Sequence, residues 1–452
     1  MGCKGRAKMI NKSFKCTKVH SHQRDETFEC KAKFRKELLE MANKEPVSSK
    51  EVYDMVSKKH FAASSLLPFH KVKDTLKKRK TNYAIKTIKT LKDLTIYGND
   101  ENFIQFLKFK FNNKEHNLKL LIFEEAIDIS VAMFDESLLR KVLNSPAWSI
   151  DGTFECVPRI IKVYQLLTIM VKVHDKFLPV IWILMSNKRS TNYQNILKLL
   201  KYKFQDLFAP SLIITDFEIG LQNSVQLVFP SCDVQGCYFH YVSAIRKQAQ
   251  KFKLFELLKL KTPETYGKSN ILLRKMYNLA LLPPNCIFLG FQLIIESLDI
   301  KDPEVNEIFK KLFKYYERYW LTTINPRTLS TFERADRTNN SQERYHRTLK
   351  EMLGAKPSFS NFISALKDLI TTNYRTLNQF KCGIDVKYTK KRRAEKRFDA
   401  WVQEESEKMK NIDLLPQNTK IQIISNFLNN TYCIEKLRIK FKKYLRDKGI
   451  NI

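Results

Sequence analysis

The sequence predicts an α/β protein with a central β-sheet, helices packed around it, and one long helical insertion. Between residues 149 and 255, apolar segments of strand length alternate with helical patterns. A second helical stretch, residues 262 to 326, is too long for a loop and separates that region from further helices. With 452 residues, the chain is long enough for two or three domains with cores of their own.

The first predicted segment, residues 1–30, is basic and contains side chains of the zinc-binding types. Cysteine thiolate and histidine imidazole are zinc ligands, and a His-x-His pair can place both rings on one ion. The candidate zinc ligands are Cys3, His20 and His22, with Cys16 or Cys30 as a fourth. The alternative is a basic, disordered terminus in which Cys and His occur by chance.

Residues 31–145 are predicted to form a helical N-terminal region. The predicted elements are helices over residues 34–41, 47–56, 67–80 and 135–143, and a small pairing region over residues 94–111. The third helix ends in the basic run Lys77-Lys-Arg-Lys80. This small helical module is either a linker bundle or a DNA-contacting unit that resembles a helix-turn-helix.

The predicted elements that follow have the order strand, strand, strand, helix, strand, helix, strand, helix, which is the order of a ribonuclease H-like sheet. We assign residues 146–260 to the first part of a ribonuclease H-like core, 261–335 to an all-helical insertion, and 336–380 to the final core helices. Residues 381–452 are predicted to be a basic C-terminal tail. Its run Lys390-Lys-Arg-Arg393 is typical of nuclear import or phosphate binding, or of a solvated charged face.

The charge balance indicates a polyanionic partner. Lys and Arg number 80 against 47 Asp and Glu, a net charge of +33. Such an excess favours nucleic acid as the partner. Binding to phosphates releases counterions, and the positive charge of the protein speeds its association with a polyanion. A membrane surface is the weaker alternative, since the basic residues are spread over the whole chain rather than along one amphipathic helix. No apolar run approaches the roughly 18 residues of a membrane span, and no signal peptide is visible. The nine scattered cysteines are expected to be reduced thiols.

Three acidic residues far apart in sequence are candidate metal ligands. Asp151 and Asp216 are placed at the ends of predicted strands, and Glu343 lies in the first turn of a predicted helix. Carboxylate oxygens suit Mg²⁺ or Mn²⁺. Two such ions about 4 Å apart can activate an attacking water or 3′-hydroxyl and stabilise the leaving oxygen.

Each of these acids also has a purely structural interpretation. Asp151-Gly152 could form a hairpin turn. Asp216 stands where a helix N-cap would stand. Asn340 followed by Glu343 has the spacing of a capping box, in which the glutamate binds a backbone N–H. The catalytic interpretation depends on all three acids together.

Several short motifs give a more specific indication. They are Asp151-Gly-Thr-Phe154, Gln165-Leu-Leu-Thr-Ile169, the stretch 179–188 with Tyr193 behind it, Ile214-Thr-Asp216-Phe-Glu218, Gly236-Cys237-Tyr-Phe-His240, and Asn339-Asn-Ser-Gln-Glu343 with His346 and Leu349. This series resembles the MULE (Mutator-like element) transposase domain. The resemblance implies a DDE-type DNA transposase whose catalytic triad of Asp151, Asp216 and Glu343 holds two Mg²⁺ or Mn²⁺ ions.

Three accessory residues follow from the same motifs. Cys237 and His240 lie on one face of a helix start, but two ligands do not make a zinc site, so packing or substrate positioning is favoured. His346 lies one turn after Glu343 and either contacts a phosphate or is packed. The aromatic series Tyr315, Tyr316, Tyr319 and Trp320 belongs either to a core or to a base-stacking surface.

The order of Cys3, sixteen residues and then His20-Ser-His22 resembles the second half of a FLYWCH zinc finger. The first half of that finger is missing from the sequence, which suggests a chain that starts late. The combined resemblance implies a nuclear enzyme that acts on terminal inverted repeats and target DNA as a homo-oligomer. The alternatives are a domesticated, non-catalytic DNA-binding regulator that keeps the fold, and a structural RNA-binding protein.

Overall fold

The computed structural model describes residues 6–10, 13–18, 27–44, 49–84, 88–160, 162–384 and 393–430. The candidate zinc ligands Cys3, His20 and His22 lie outside the described residues, as does the start of the basic run at Lys390. The chain divides into two compact units. The smaller comprises the residues up to Ile88 together with Tyr97–Glu115, and the larger comprises Lys89–Ile96 together with the residues from His116 onward.

The smaller unit contains a hairpin and a helical bundle. Its elements begin with β1 (Arg6–Ile10), β2 (Ser13–Lys18), α1 (Phe28–Lys44), α2 (Ser49–Ser57), α3 (Phe61–Leu66) and α4 (Phe69–Ala84). Strands β1 and β2 pair antiparallel. The four helices share one core because apolar residues recur at three- and four-residue spacing, as with Phe34, Leu38 and Ala42 of α1. The three helices predicted before residue 81 are therefore present, and α3 is an additional short one.

The pairing region predicted over residues 94–111 is wrong for most of its length. That stretch forms α5 (Leu91–Tyr97), α6 (Glu101–Leu107) and only then the strand β3 (Lys108–Phe111). The Asp100 carboxylate accepts a hydrogen bond from the N–H of Phe103 at 2.9 Å, which caps α6. A side-chain N-cap of this kind favours a helix over a strand at this position.

The remaining strands belong to a mixed sheet. They are β4 (Lys114–Glu125), β5 (Asp128–Asp135), β6 (Ala147–Thr153), β7 (Gln165–Val173), β8 (Lys176–Met185), β9 (Leu212–Thr215) and β10 (Asp233–Gly236). The eight-stranded sheet has the order β10-β9-β6-β7-β8-β5-β4-β3. Strands β6, β7 and β8 form an antiparallel meander. Strand β9 pairs parallel with both β6 and β10. The predicted meander and the helix–strand alternation after it are confirmed.

Strands β4 and β5 were not predicted. β5 pairs antiparallel with β8 and β4, so the sheet continues past the meander. Every residue of β8 is buried, because β8 lies inside the sheet and has helices over it. A continuous apolar run is what such a strand requires.

Thirteen α-helices follow β5 in the part of the chain that the structure describes. They are α7 (Glu136–Val142), α8 (Ser190–Phe204), α9 (Ile219–Val228), α10 (Tyr238–Lys251), α11 (Leu254–Leu258), α12 (Pro263–Asn278), α13 (Ile287–Glu296), α14 (Pro303–Tyr316), α15 (Pro326–Leu329), α16 (Asn340–Leu353), α17 (Phe359–Lys381), α18 (Arg393–Lys408) and α19 (Gln417–Asn429). Helices α12 to α15 belong to the predicted insertion. Short 3-10 segments occupy Gln205–Leu207, Leu279–Leu281, Pro284–Cys286 and Ile412–Leu414, and a π-helical segment occupies Glu317–Ile324. No helix within the described ranges combines the length and apolar character needed to cross a membrane.

The insertion helices α12 to α14 and the π-helical segment share one core with α10 and α11, which precede the insertion. Tyr316 and Trp320 are fully buried in it, so the base-stacking interpretation of these two residues is wrong. Within the predicted C-terminal tail, α18 and α19 add to the same core, where the rings of Trp401 and Phe427 stack with centroids 5.4 Å apart. Composition alone did not predict these two helices. The boundaries of the predicted domains stay predictions.

Candidate active site

Two of the predicted acids are brought side by side by adjacent strands, Asp151 within β6 and Asp216 directly after β9. In the parallel pair of β6 and β9, Ile150 is opposite Thr215, so the next residues, Asp151 and Asp216, are also neighbours. Adjacent strands are about 4.8 Å apart. Strand β6 continues through Thr153, and the hairpin-turn interpretation of Asp151 is therefore wrong.

The turn after β9 holds Asp216 by its backbone. The carbonyl oxygen of Asp216 accepts hydrogen bonds from the Gln222 Nε2 and the Thr215 hydroxyl, both at 2.8 Å. One carboxylate oxygen of Asp216 accepts the N–H of Glu218 at 3.3 Å. Helix α9 begins at Ile219 with Glu218 as its N-cap residue. Asp216 is consequently not the N-cap residue of α9.

The side chain of Phe217, the residue after Asp216, packs tightly and holds the same turn. Phe217 packs edge-to-face against Trp320 of the insertion, with centroids 4.7 Å apart. A Cβ added at Gly236 would lie 2.1 Å from the Phe217 ring. Glycine is thus required in β10 for Phe217 to occupy this place, and the insertion core reaches the turn that carries Asp216.

The third acid comes from α16. Glu343 lies in the first turn of this helix, whose N-cap residue Asn339 makes no side-chain capping bond. The capping-box interpretation of Asn340 and Glu343 is therefore wrong. Instead, Asn339 Nδ2 donates a hydrogen bond to Asp151 Oδ2 at 3.2 Å. Its Oδ1 accepts one from the Ser149 hydroxyl.

Two further side chains hold α16 on the sheet. Gln342 Nε2 donates to the carbonyl oxygens of Ser149 at 3.0 Å and Thr168 at 3.1 Å, which bridges β6 and β7. Trp182 Nε1 of β8 donates to the Tyr345 hydroxyl at 2.6 Å. Sequence reasoning missed the roles of Asn339 and Gln342. The available signal was a run of amide side chains directly before an acid on an otherwise basic helix.

The accessory residues surround the acids. His240 Nε2 lies 3.6 Å from Glu343 Oε1, and His346 Nδ1 lies 3.9 Å from Asp151 Oδ2. Cys237 is the N-cap residue of α10, and its Sγ accepts the N–H of Asn339 at 3.1 Å. The motif residues Cys237, His240 and His346 are thus brought together with the three acids.

Burial sets the charge of the accessory groups. It lowers the pKa of His346 to about 4, so this imidazole is neutral near pH 7. It raises the pKa of the Cys237 thiol to about 11, so the sulfur is protonated at the same pH. A protonated thiol that already accepts a backbone N–H is a poor zinc ligand.

The acids themselves repel one another. Burial, and then the charges of Asp216 and Glu343, raise the pKa of Asp151 to about 8. Burial, followed by the Glu218 carboxylate, raises the pKa of Asp216, while His240 opposes the shift. Converging carboxylates with raised pKa values are typical of a cation site before its cation binds, because the cation would remove their mutual repulsion.

A fourth acid near the site, Glu218, is paired with a lysine of the same chain. Glu218 accepts hydrogen bonds from the Lys188 ammonium and from the Tyr193 hydroxyl, the latter at 2.6 Å. Gln165 Nε2 in turn donates to the Tyr193 hydroxyl. Lys188, Tyr193 and Gln165 all belong to the sequence motifs, and the structure joins them into one chain of contacts that ends beside Asp216.

The donor set fits a divalent cation in its chemistry. Asp151, Asp216 and Glu343 offer hard oxygen ligands, and the two aspartates are register neighbours. Among the residues that the structure describes, no three His, Cys, Asp or Glu side chains are spaced as a ready-made metal site. The Glu343 carboxylate is directed toward His240, so it would have to turn from that contact to become the third ligand.

The segment from β6 to α10 contains both aspartates and the Cys237–His240 pair. Residues 147–244 match the family model of the MULE transposase domain. The matched MULE transposase domain ends before the insertion, so Glu343 and His346 lie beyond it. The match indicates a transposase-type domain, which in general implies DNA as the partner. A comparison with curated proteins finds no match to this chain.

Proposed function

We propose that this chain is a metal-dependent DNA transposase of the Mutator-like type. It would cleave DNA at element ends and transfer the resulting 3′-hydroxyl to target DNA. The observation that carries the proposal is the placement of Asp151 on β6 beside Asp216, which directly follows the parallel strand β9, inside the matched MULE transposase domain. Glu343 approaches from a helix that is hydrogen-bonded to the same strand through Gln342.

The strand arrangement supports a ribonuclease H-like assignment for this core. Three antiparallel strands are followed by two parallel ones, and each of β8, β9 and β10 leads into a helix. In this interpretation the insertion, residues 261–335, separates the second acid from the third. It also supports the second acid directly, through the packing of Trp320 on Phe217.

In the proposed chemistry, Asp151, Asp216 and Glu343 hold two Mg²⁺ or Mn²⁺ ions. When bound, such ions activate the attacking oxygen and stabilise the leaving oxygen of an in-line displacement at phosphorus. Asn339 orients one oxygen of Asp151, as an outer-shell partner does for a metal ligand. The neutral imidazole of His346 adds no charge next to Asp151, which leaves the carboxylate free to neutralise the cations.

The proposed partners are terminal inverted repeats and target DNA. The net charge of +33 supplies the sequence-independent part of that binding. We further propose a homo-oligomer acting in the nucleus, and a zinc-binding N-terminal segment with ligands Cys3, His20 and His22.

The test is nicking of a supercoiled plasmid that carries the DNA ends flanking the chain's own gene, with Mg²⁺ or Mn²⁺. Asp151→Asn, Asp216→Asn and Glu343→Gln should each lower the nicking rate at least about 100-fold, because each removes a metal ligand. Asp175→Asn, in the exposed β7–β8 turn, and Glu351→Gln, exposed on α16, are matched controls. Unchanged cutting by Asp151→Asn and Glu343→Gln would refute these assignments. A wild-type chain that binds the plasmid without ever cutting it supports the regulator instead.

A further inference from the structure

Two large aromatic rings are exposed near the end of β6, the strand that carries Asp151. Phe154, three residues after Asp151, is 49% exposed, and Tyr164, directly before β7, is 53% exposed. Their rings meet edge-to-face with centroids 5.5 Å apart. Because β6 and β7 are antiparallel neighbours, the pair lies at the end of β6 where Asp151 is found.

A lysine connects this aromatic pair with the second acid. Lys188 Nζ lies 4.7 Å from the centroid of the Phe154 ring, and the same ammonium donates to the Glu218 carboxylate. Glu218 is two residues after Asp216 and binds it through its backbone N–H. Lys188 is partly exposed, and an ammonium has three N–H donors. It can therefore keep Glu218 and still donate to a further anion.

Exposed apolar residues are common when they are single. Phe154 and Tyr164 are different, because they touch each other and one ring carries a cation, Lys188, which also binds Glu218 beside Asp216. Aromatic faces with a neighbouring cation are the elements that bind unpaired nucleic-acid strands. Each stacked base contributes about 1–3 kcal/mol, and the cation binds the backbone phosphate. The net charge of +33 favours the same class of ligand over an apolar peptide.

We propose that Phe154, Tyr164 and Lys188 form a binding site for an unpaired nucleotide of the DNA substrate. Because the two rings are nearly perpendicular, one base stacks on the face of one ring while the other ring supports it, and the adjoining phosphate accepts a hydrogen bond from Lys188. The choice of DNA rests on the proposed function, whereas the site itself rests on the geometry of these three side chains. Its role is to hold one strand, separated from its complement, near the acids. A substrate that stays fully paired would not use this site.

The test is a binding measurement that needs no cleavage. Fluorescence anisotropy is recorded in EDTA with a fluorescein-labelled 12-nucleotide oligothymidylate and with a 12-base-pair mixed-sequence duplex. Phe154→Ala and Tyr164→Ala should each weaken oligothymidylate binding about 5- to 100-fold, with a much smaller effect on the duplex. Tyr164→Phe should bind as the wild type does. Tyr202→Ala, which removes a ring that is 82% exposed on α8, is the matched control.

Lys188→Met addresses the phosphate contact. For oligothymidylate, the slope of log affinity against log salt concentration should become shallower. The change should be roughly that expected for the loss of one phosphate contact. A 2-aminopurine placed in the oligonucleotide should be quenched by the wild type and regain fluorescence with Phe154→Ala. Melting temperatures show whether each variant is folded.

The outcomes separate the two proposals. If folded Phe154→Ala and Tyr164→Ala bind oligothymidylate like the wild type, or lose duplex binding equally, the nucleotide site is refuted, and nicking that depends on Asp151 still stands. If they lose oligothymidylate binding while Asp151→Asn nicks normally, the nucleotide site stands and the proposed metal-dependent function fails.

Discussion

Asn339 Nδ2 donates a hydrogen bond to Asp151 Oδ2 across 3.2 Å, and this contact joins the start of α16 to β6. The same amide accepts the Ser149 hydroxyl through its oxygen, and its backbone N–H is bound by the Cys237 sulfur. One residue therefore touches both the strand of the first acid and the helix start that follows the second. The position of Glu343 relative to Asp151 depends on it.

Replacing this amide tests that dependence. Asn339→Ala leaves the buried Ser149 hydroxyl and one oxygen of Asp151 without their partner, which costs about 1–3 kcal/mol of stability. Loss of an outer-shell partner typically lowers metal affinity or activity 10- to 100-fold, and we expect the plasmid nicking rate to fall by that factor. Asn340→Ala, at the exposed neighbouring position, is the control. Equal nicking rates for the two variants would contradict the role given to Asn339.

The raised pKa of Asp151 predicts how stability varies with pH. Its value of about 8 in the folded chain compares with about 4 in an unfolded chain. A carboxyl whose pKa is raised on folding destabilises the folded state progressively as pH rises from about 4 to about 8. Asp151→Asn removes this effect. Its melting temperature, measured without divalent ions, should exceed that of the wild type, by a margin that grows from pH 5 to about pH 8 and then levels off.

Divalent ions should reverse the order of the two melting temperatures, so that the wild type melts above Asp151→Asn. Binding to the folded chain stabilises it by about 2.7 kcal/mol when the ion is at 100 times its dissociation constant. Mn²⁺ at pH 8 should therefore raise the melting temperature of the wild type by several degrees and that of Asp151→Asn by much less. Asp175→Asn should respond as the wild type does. A Mn²⁺ response that survives in Asp151→Asn would place the ion elsewhere.

The proximity of Asp151 and Asp216 was predictable because both end apolar segments, and parallel strands bring their ends to one edge of a sheet. The strands β4 and β5 were not predictable in the same way. β4 begins with four polar residues and ends with two glutamates around a mostly apolar centre, so it lacks the alternation of an exposed strand, and its pairing with β5 makes it a strand. Local pattern could not supply that pairing.

The detail of the site depends on contacts between distant parts of the chain. The bond of Gln342 to Ser149 and Thr168 spans more than 170 residues, and no local spacing predicts it. The structural interpretations of Asp151, Asp216 and Glu343 were each reasonable locally. The hairpin turn at Asp151 is wrong because β6 continues past it, and the helix cap at Asp216 is wrong because α9 starts later than expected. The capping box of Glu343 is wrong because the Asn339 side chain binds Asp151 rather than its own helix.

The protection of Cys237 is a separate prediction. Its thiol is buried, with a pKa raised to about 11 by that burial, and thiolate is the reactive form. Cys382 is exposed. Iodoacetamide at pH 8, followed by peptide mass spectrometry, should therefore modify Cys382 at least about 100-fold faster than Cys237. Comparable rates would mean that the start of α10 opens readily and that Asn339 is not held there.

The contact between Phe217 and Gly236 gives a last prediction, about the second acid. Gly236→Ala forces the Phe217 ring to move, because the new Cβ would lie 2.1 Å from it. Such overpacking costs about 1–3 kcal/mol, and movement of Phe217 shifts the turn that carries Asp216. We expect a lower melting temperature together with a reduced nicking rate. Gly267→Ala is the matched control, since a Cβ there meets nothing within 4 Å and alanine favours the helix. Adding Phe217→Leu to Gly236→Ala should restore part of the stability, because the smaller side chain makes room for the Cβ. If Gly236→Ala matches Gly267→Ala in both measurements, the packing of Phe217 does not hold Asp216 in place.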